Sequence, residues 1–117
     1  MGLDEGVAKA YESLRAQNSL FPHRLCKIAA LAMHSRGYEI VQGKVKLDNY
    51  GGIGIIIKLL HYWNYDPRSR LYFDITASQF NSKFIGEPLP DIAVWEEGHA
   101  PPIYEIQRKN VPCHEVL

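Results

Sequence analysis

The apolar positions along this chain change period partway through, from a helical to an alternating pattern. Leu3, Val7, Ala10, Tyr11 and Leu14 recur at helical spacing and predict an amphipathic first helix that frays before Asn18-Ser19. A second helix is predicted to open at Ser19 or Pro22, with Leu25, Ile28, Ala29, Ala32 and Met33 as its buried stripe and Gly37 as its cap after Arg36. From Tyr38 onward the pattern alternates as in strands: Tyr38 to Leu47 broken at Gly43, Ile55 to Tyr65, Arg70 to Thr76, Asp91 to Trp95 and Ile103 to Ile106. Turn residues gather at Asp48-Asn49-Tyr50-Gly51-Gly52 and Asp66-Pro67-Arg68-Ser69, and Gln107 to Leu117 reads as a tail or edge segment. Helices followed by an antiparallel sheet predict an α+β fold. No heptad and no long edge strand stands out as an oligomer interface.

The hairpin around Asp66-Pro67-Arg68-Ser69 brings chemistry into view. Centred between Pro67 and Arg68, with a loop of two or four residues, it sets His61 opposite Asp74 with Cβ atoms about 5 Å apart. Trp63 and Tyr65 then oppose Tyr72 and Arg70 on that face, while Leu60, Tyr62 and Asn64 oppose Ile75, Phe73 and Leu71 on a mostly apolar inner face. A register slip of one residue would separate the pair onto opposite faces.

Composition narrows the function classes. A chain of 117 residues suits one domain spanning residues 1–117. Thirteen basic residues balance thirteen acidic ones, so net charge draws it to neither nucleic acid nor an anionic membrane. Two distant cysteines, Cys26 and Cys113, form no disulfide framework and fit reducing surroundings. The acidic start Met1-Gly2-Leu3-Asp4-Glu5 is no signal peptide, and Ile53 to Leu60 is too short to span a membrane. A soluble protein is expected, cytoplasmic or delivered as an effector. No metal is predicted, because His23, Cys26 and His34 cannot share one helix face, and no cofactor is predicted either. Gly51-Gly52-Ile53-Gly54 leads into a strand and lacks a P-loop lysine, so it reads as a flexible turn bordering the site. The aromatics from Tyr62 to Phe73 read as core and cleft wall, and the loops Glu87-Pro88-Leu89-Pro90 and Gly98-His99-Ala100-Pro101-Pro102 as surface loops that could shape a groove.

Cys26, in the first turns of the second helix, feels the positive end of the helix dipole, and His23, Arg24 and Lys27 add positive charge that favours thiolate. Its alternative is a small buried apolar side chain beside Leu25 and Ala29. His61 would be the base, and Asp74 would fix its tautomer and steady its charged form. The Cys26 backbone N–H, with a side-chain amide from Gln17 or Asn18, is the candidate oxyanion donor.

These residues carry a resemblance. Phe21-Pro22-His23-Arg24-Leu25-Cys26 with its following helix, His61-Tyr62-Trp63-Asn64 and Leu71-Tyr72-Phe73-Asp74-Ile75-Thr76 resemble the three motifs of the transglutaminase-like branch of papain-fold cysteine enzymes, a group that includes small effector-type deamidases. The resemblance spans roughly Phe21 to Phe80, and departs from the family where glycine often precedes the nucleophile and this chain has Arg24 and Leu25. It implies a papain-like core with the nucleophile at a helix N-terminus, a Cys26-His61-Asp74 triad, and acyl transfer on an amide of a protein or peptide substrate. Trp63, Asn64 and Gln79 fall beside the motifs as supports or substrate contacts. The alternative is an inactive member of the fold, or an α+β binding module with exposed Trp63 and Trp95 as its contact surface.

Overall fold

The computed structural model describes residues 5–116. Two helices, α1 (Glu5–Gln17) and α2 (Cys26–His34), precede five strands: β1 (Glu39–Tyr50), β2 (Ile55–Asp66), β3 (Leu71–Asp74), β4 (Ala93–Glu96) and β5 (Tyr104–Arg108). The strands form one antiparallel sheet in the order β4-β3-β2-β1-β5. The helices pack on it, as the predicted α+β class requires. Leu3, assigned to the first helix from its spacing, lies outside the described residues.

Because side chains alternate across a strand, each strand divides its residues between two faces. Val41, Val45, Leu47, Trp63, Tyr72, Trp95 and Tyr104 fill one face, closed by Ala77 and Phe80 of a short 3-10 turn. The other face is covered by helices. Val7, Ala10, Ala29 and Met33 meet Tyr38, Phe73 and Ile75 there, and Ala30 meets Ile40, Tyr62, Val111 and Val116. No helix among the described residues is long and apolar enough to cross a membrane.

Four expectations are corrected. The second helix opens at Cys26, not at Ser19 or Pro22, because the preceding residues form successive tight turns (Phe21 N–H to Asn18 O, 3.0 Å; His23 N–H to Leu20 O, 2.8 Å) and Arg24 is left-handed with φ 60°. Gly43 does not break β1, which runs on to Tyr50. A Cβ there would collide with the Trp63 ring and the Glu105 carbonyl, so glycine makes room for the tryptophan lying across the strand.

The hairpin register differs from the expected one by two residues. Asp66 pairs with Leu71, Tyr65 with Tyr72 and Asn64 with Phe73, around the loop Pro67 to Arg70. Asp66 builds that loop. Its carboxylate accepts from the Arg68 N–H (3.0 Å) and the Ser69 hydroxyl (2.8 Å), and its carbonyl accepts from the Arg70 N–H (2.8 Å), with Arg70 at φ 61°. Carried one pair further, this register sets Trp63, not His61, level with Asp74. An even slip preserves the face, so His61 and Asp74 still share one. Lastly, a long edge strand does exist: β3 pairs only with residues 64–66 of β2, leaving Ile55 to Leu60 with a strand neighbour on the β1 side alone among the described residues.

Candidate active site

Cys26 is the first residue of α2, so its backbone N–H has no intrahelical acceptor and its thiol stands at the positive end of the helix. The helix is tied down close by: the Asn64 amide donates to the carbonyls of Ala30 in α2 and Glu39 in β1, at 3.1 and 3.2 Å. One buried side chain thereby sets the position of the helix against the sheet. α2 covers the face that carries Tyr62 and Asn64, whereas the His61 side chain leaves from the opposite face. The two still meet, because β3 does not extend beside β2 at this level. In the notch it leaves, the Cys26 thiol lies close enough to the His61 imidazole and the Tyr62 main chain for both to act on its ionisation.

Behind the thiol lies a closed chain of bonds. His61 Nε2 is 2.7 Å from Asp74 Oδ2, which leaves Nδ1 as the ring nitrogen not engaged by Asp74. The Tyr104 hydroxyl donates to the same Oδ2 at 2.6 Å, and the Thr76 N–H and hydroxyl both donate to Oδ1 at 2.9 Å. Asp74 is therefore buried with both oxygens doubly satisfied, the condition under which a buried carboxylate stays ionised. Phe80 meets the imidazole edge-on at 4.8 Å and Trp63 flanks it at 5.8 Å, fixing the ring's plane.

The electrostatics follow from these contacts. Burial would push His61 down, but the Asp74 charge and hydrogen bond, helped by Cys26, raise it to about 9. Burial would likewise push the Cys26 thiol up, yet the hydrogen bond and charge of His61, with the Tyr62 main chain, bring it below its ordinary value. For Asp74 the burial penalty is outweighed by His61, Tyr104 and Thr76, and its carboxyl is lowered. Burial and the neighbouring Asp74 charge raise the Tyr104 hydroxyl well above the ordinary tyrosine range, so it remains a donor. Together these contacts favour the thiolate of Cys26 beside a protonated His61 and favour the ionised form of Asp74.

The structure thus brings Cys26, His61 and Asp74 together. The other expected site residues have different placements. The Gln17 amide donates to the Ser13 hydroxyl (3.2 Å) and the Asn18 amide to the Leu14 carbonyl (3.0 Å), so both are spent on the end of α1 rather than on an oxyanion. Trp63 is 1% exposed and Trp95 6%, which makes both core walls and removes them as a contact surface. Asn64 is the staple of α2. Gln79 is buried, and its Oε1 accepts from the Arg24 N–H at 3.4 Å, holding the left-handed residue that turns the chain into α2.

Tyr104 and Thr76 were not read from the sequence as members of the site. Thr76 lies two residues after Asp74, a spacing that lets a carboxylate bond its own downstream backbone and could have marked it. Tyr104 had no such signal, since only the pairing of β5 with β1 brings it near Asp74. Gly51-Gly52-Ile53-Gly54 does not border the site: it lies at the far tip of the β1–β2 hairpin, about 20 Å along β2 from His61. The proline-bearing loops meet in a cavity of about 500 Å³ lined by Phe84 to Pro90 and Pro101 to Ile103, which shares no residue with the triad. No cluster of metal ligands occurs among the described residues. No family model, curated protein or solved structure matches this chain.

Proposed function

We propose that this protein is a papain-like, transglutaminase-like cysteine enzyme that transfers the acyl group of a protein or peptide amide to water. The observation that carries this reading is the alignment of Cys26, at the start of α2, with a His61 that is hydrogen-bonded to a fully satisfied Asp74. A structural cysteine needs no imidazole, and an imidazole needs no buried carboxylate with four donors. All three at one helix N-terminus make sense as a nucleophile, its base and an orienter.

The Cys26 thiolate attacks the amide carbon, forming a C–S bond as the carbonyl electrons move to oxygen. The Cys26 N–H at the start of α2 faces the developing oxyanion. His61 gives its proton to the departing nitrogen, the C–N bond breaks, and a thioester remains on Cys26. Water then attacks, His61 takes its proton, and the thiolate leaves with a carboxylic acid as product. Ammonia leaves from a glutamine side chain and an amine from a peptide bond, so deamidation and proteolysis share every step of the enzyme's own residues. Transglutamination, which must admit a second amine, ranks behind both.

Iodoacetamide labelling of Cys26, resolved from the exposed Cys113 by peptide mass spectrometry, tests the reading without a substrate. Fast labelling well below pH 8 that slows in His61→Ala is expected. Slow labelling in both proteins would remove the enzyme and leave a binding module on the same fold.

A further inference from the structure

We infer that the open edge of β2, from Ile56 to Leu60, is a docking rail on which an extended, acidic-apolar segment of the substrate polypeptide adds as an antiparallel strand leading into Cys26. This rests on the reading of Cys26 as a nucleophile. Two backbone bonds fix which way the edge faces. The Lys46 N–H donates to the Ile103 carbonyl at 2.8 Å and the Ile40 carbonyl accepts from the Val111 N–H at 2.9 Å, so the even residues of β1 turn their polar groups away from β2. Gly43, Val45 and Leu47 therefore bond to their partners His61, Leu59 and Ile57, and the even residues of β2 face the other side. At Asp66 that side carries the hairpin loop, and at Tyr62 it carries Cys26. At Ile56, Lys58 and Leu60 it carries no strand among the described residues.

An unpaired ladder of N–H and C=O groups is satisfied by another extended backbone, and natural edges are usually short, bulged or covered for that reason. This one is long and apolar: Ile55, Ile56, Leu59 and Leu60 are exposed by 47%, 64%, 37% and 51%. Two features name its occupant. The rail is continuous with the nucleophile, since Tyr62, the next residue with outward polar groups, is the one whose main chain reaches the thiol. The charge is one-sided, because Lys58 lies directly opposite Lys46 with Lys44 on the same face, against Glu105 alone at 3.5 Å from Lys58. Opposed like charges are unfavourable in a free sheet and become favourable when a carboxylate docks beside them. An antiparallel strand would run from the thiol toward Ile55, placing the reacting amide at the N-terminal end of the bound stretch, an acidic residue level with Lys58, and apolar residues level with Ile56 and Leu60.

The test compares alkylation of Cys26 by chloroacetamide with alkylation by N-chloroacetyl-Val-Thr-Glu-Thr-Val amide, in the parent protein and in Lys58→Pro and Lys58→Glu. Proline removes an N–H that β1 does not use, so pairing with β1 survives. The peptide should react at least about tenfold faster than chloroacetamide, and saturably. Lys58→Pro should erase that advantage and leave the chloroacetamide rate unchanged. Lys58→Glu, the readout if the proline variant does not fold, should come to prefer the peptide with lysine in place of glutamate. A peptide with no advantage, or one indifferent to both substitutions, overturns the inference. So does a dimer by light scattering that Lys58→Pro dissolves, since a second copy would then hold the rail. Should Cys26 react no faster than an ordinary thiol, the enzyme reading fails by itself. The rail is then read by fluorescence anisotropy of the N-acetyl peptide carrying fluorescein at its C-terminus, where binding lost in Lys58→Pro upholds it and absence of binding overturns it.

Discussion

Tyr104 donates its hydroxyl to Asp74 Oδ2 at 2.6 Å, the same oxygen that meets His61 Nε2 at 2.7 Å. Asp74 needs this second donor because it is buried beneath the imidazole and cannot draw on water. Tyr104→Phe removes the donor and keeps the ring that packs between Trp63 and Trp95. It should lower stability by about 1.5–3 kcal/mol, the range for a hydrogen bond to a charged group, read by denaturant unfolding. Cys26 labelling at neutral pH should persist, since His61 and the thiol keep each other.

Asp74→Asn should act in the opposite way on reactivity. The amide cannot supply the charge that holds His61 protonated, and it can present an N–H where the ring needs an acceptor. The pH at which Cys26 labels should rise toward that of a free thiol, with the rate at pH 6.5 falling by an order of magnitude or about that. Labelling unchanged from the parent would show that Asp74 serves folding alone.

The histidine also makes stability depend on pH. In the folded chain His61 keeps its proton up to about pH 9, and in an unfolded chain to about 6.5. Its protonation therefore stabilises the fold fully below pH 6.5, and that contribution, on the order of a few kcal/mol, is lost as pH rises through the window to about 9. The lowered thiol of Cys26 works against this, gaining stability as pH rises toward its unfolded value. Cys26→Ala removes that opposition while leaving Asp74 bonded to His61. It also removes the share of the His61 shift that Cys26 supplies, so its melting temperature should fall as pH rises above 6.5, over a window that closes below 9, and the fall should vanish when His61→Gln is added.

Gly43→Ala tests the tight crossing of Trp63 over β1. The added methyl meets the indole and the Glu105 carbonyl, neither of which can move without disturbing β2 or β5. A loss of about 1–3 kcal/mol is expected, the cost of overpacking a core, with the melting temperature lowered accordingly. An unchanged melt would mean that the indole has room to shift.

Arg24→Gly tests the turn into α2. A non-glycine residue at φ 60° is strained by about 1 kcal/mol, and its N–H contact with Gln79 does not depend on the side chain. Glycine should leave stability equal or slightly higher and Cys26 labelling intact. Arg24→Val, β-branched in a left-handed position, should lower both.

What the sequence determined by itself was local. Helical spacing at Val7, Ala10 and Leu14, alternation along β1 and β2, and the Asp66-Pro67 turn specified elements from neighbours a few residues apart, and parity along a hairpin was enough to put His61 and Asp74 on one face. The hairpin's centre was not legible, because it depends on the Asp66 carboxylate choosing Arg68 and Ser69 as partners. The beginning of α2 at Cys26 was missed for a related reason: nothing in the residue types announces that Arg24 will be left-handed beneath Gln79. Tertiary structure alone decided that β3 stops short of His61, opening the notch where the thiol meets the imidazole, and that β5 crosses beside β1 to deliver Tyr104. Local pattern encodes which residues share a face. Cys26 stands 48 residues before Asp74 and Tyr104 30 residues after it, so their convergence is set by packing that satisfies buried polar groups across the sheet, and no short window of sequence contains it.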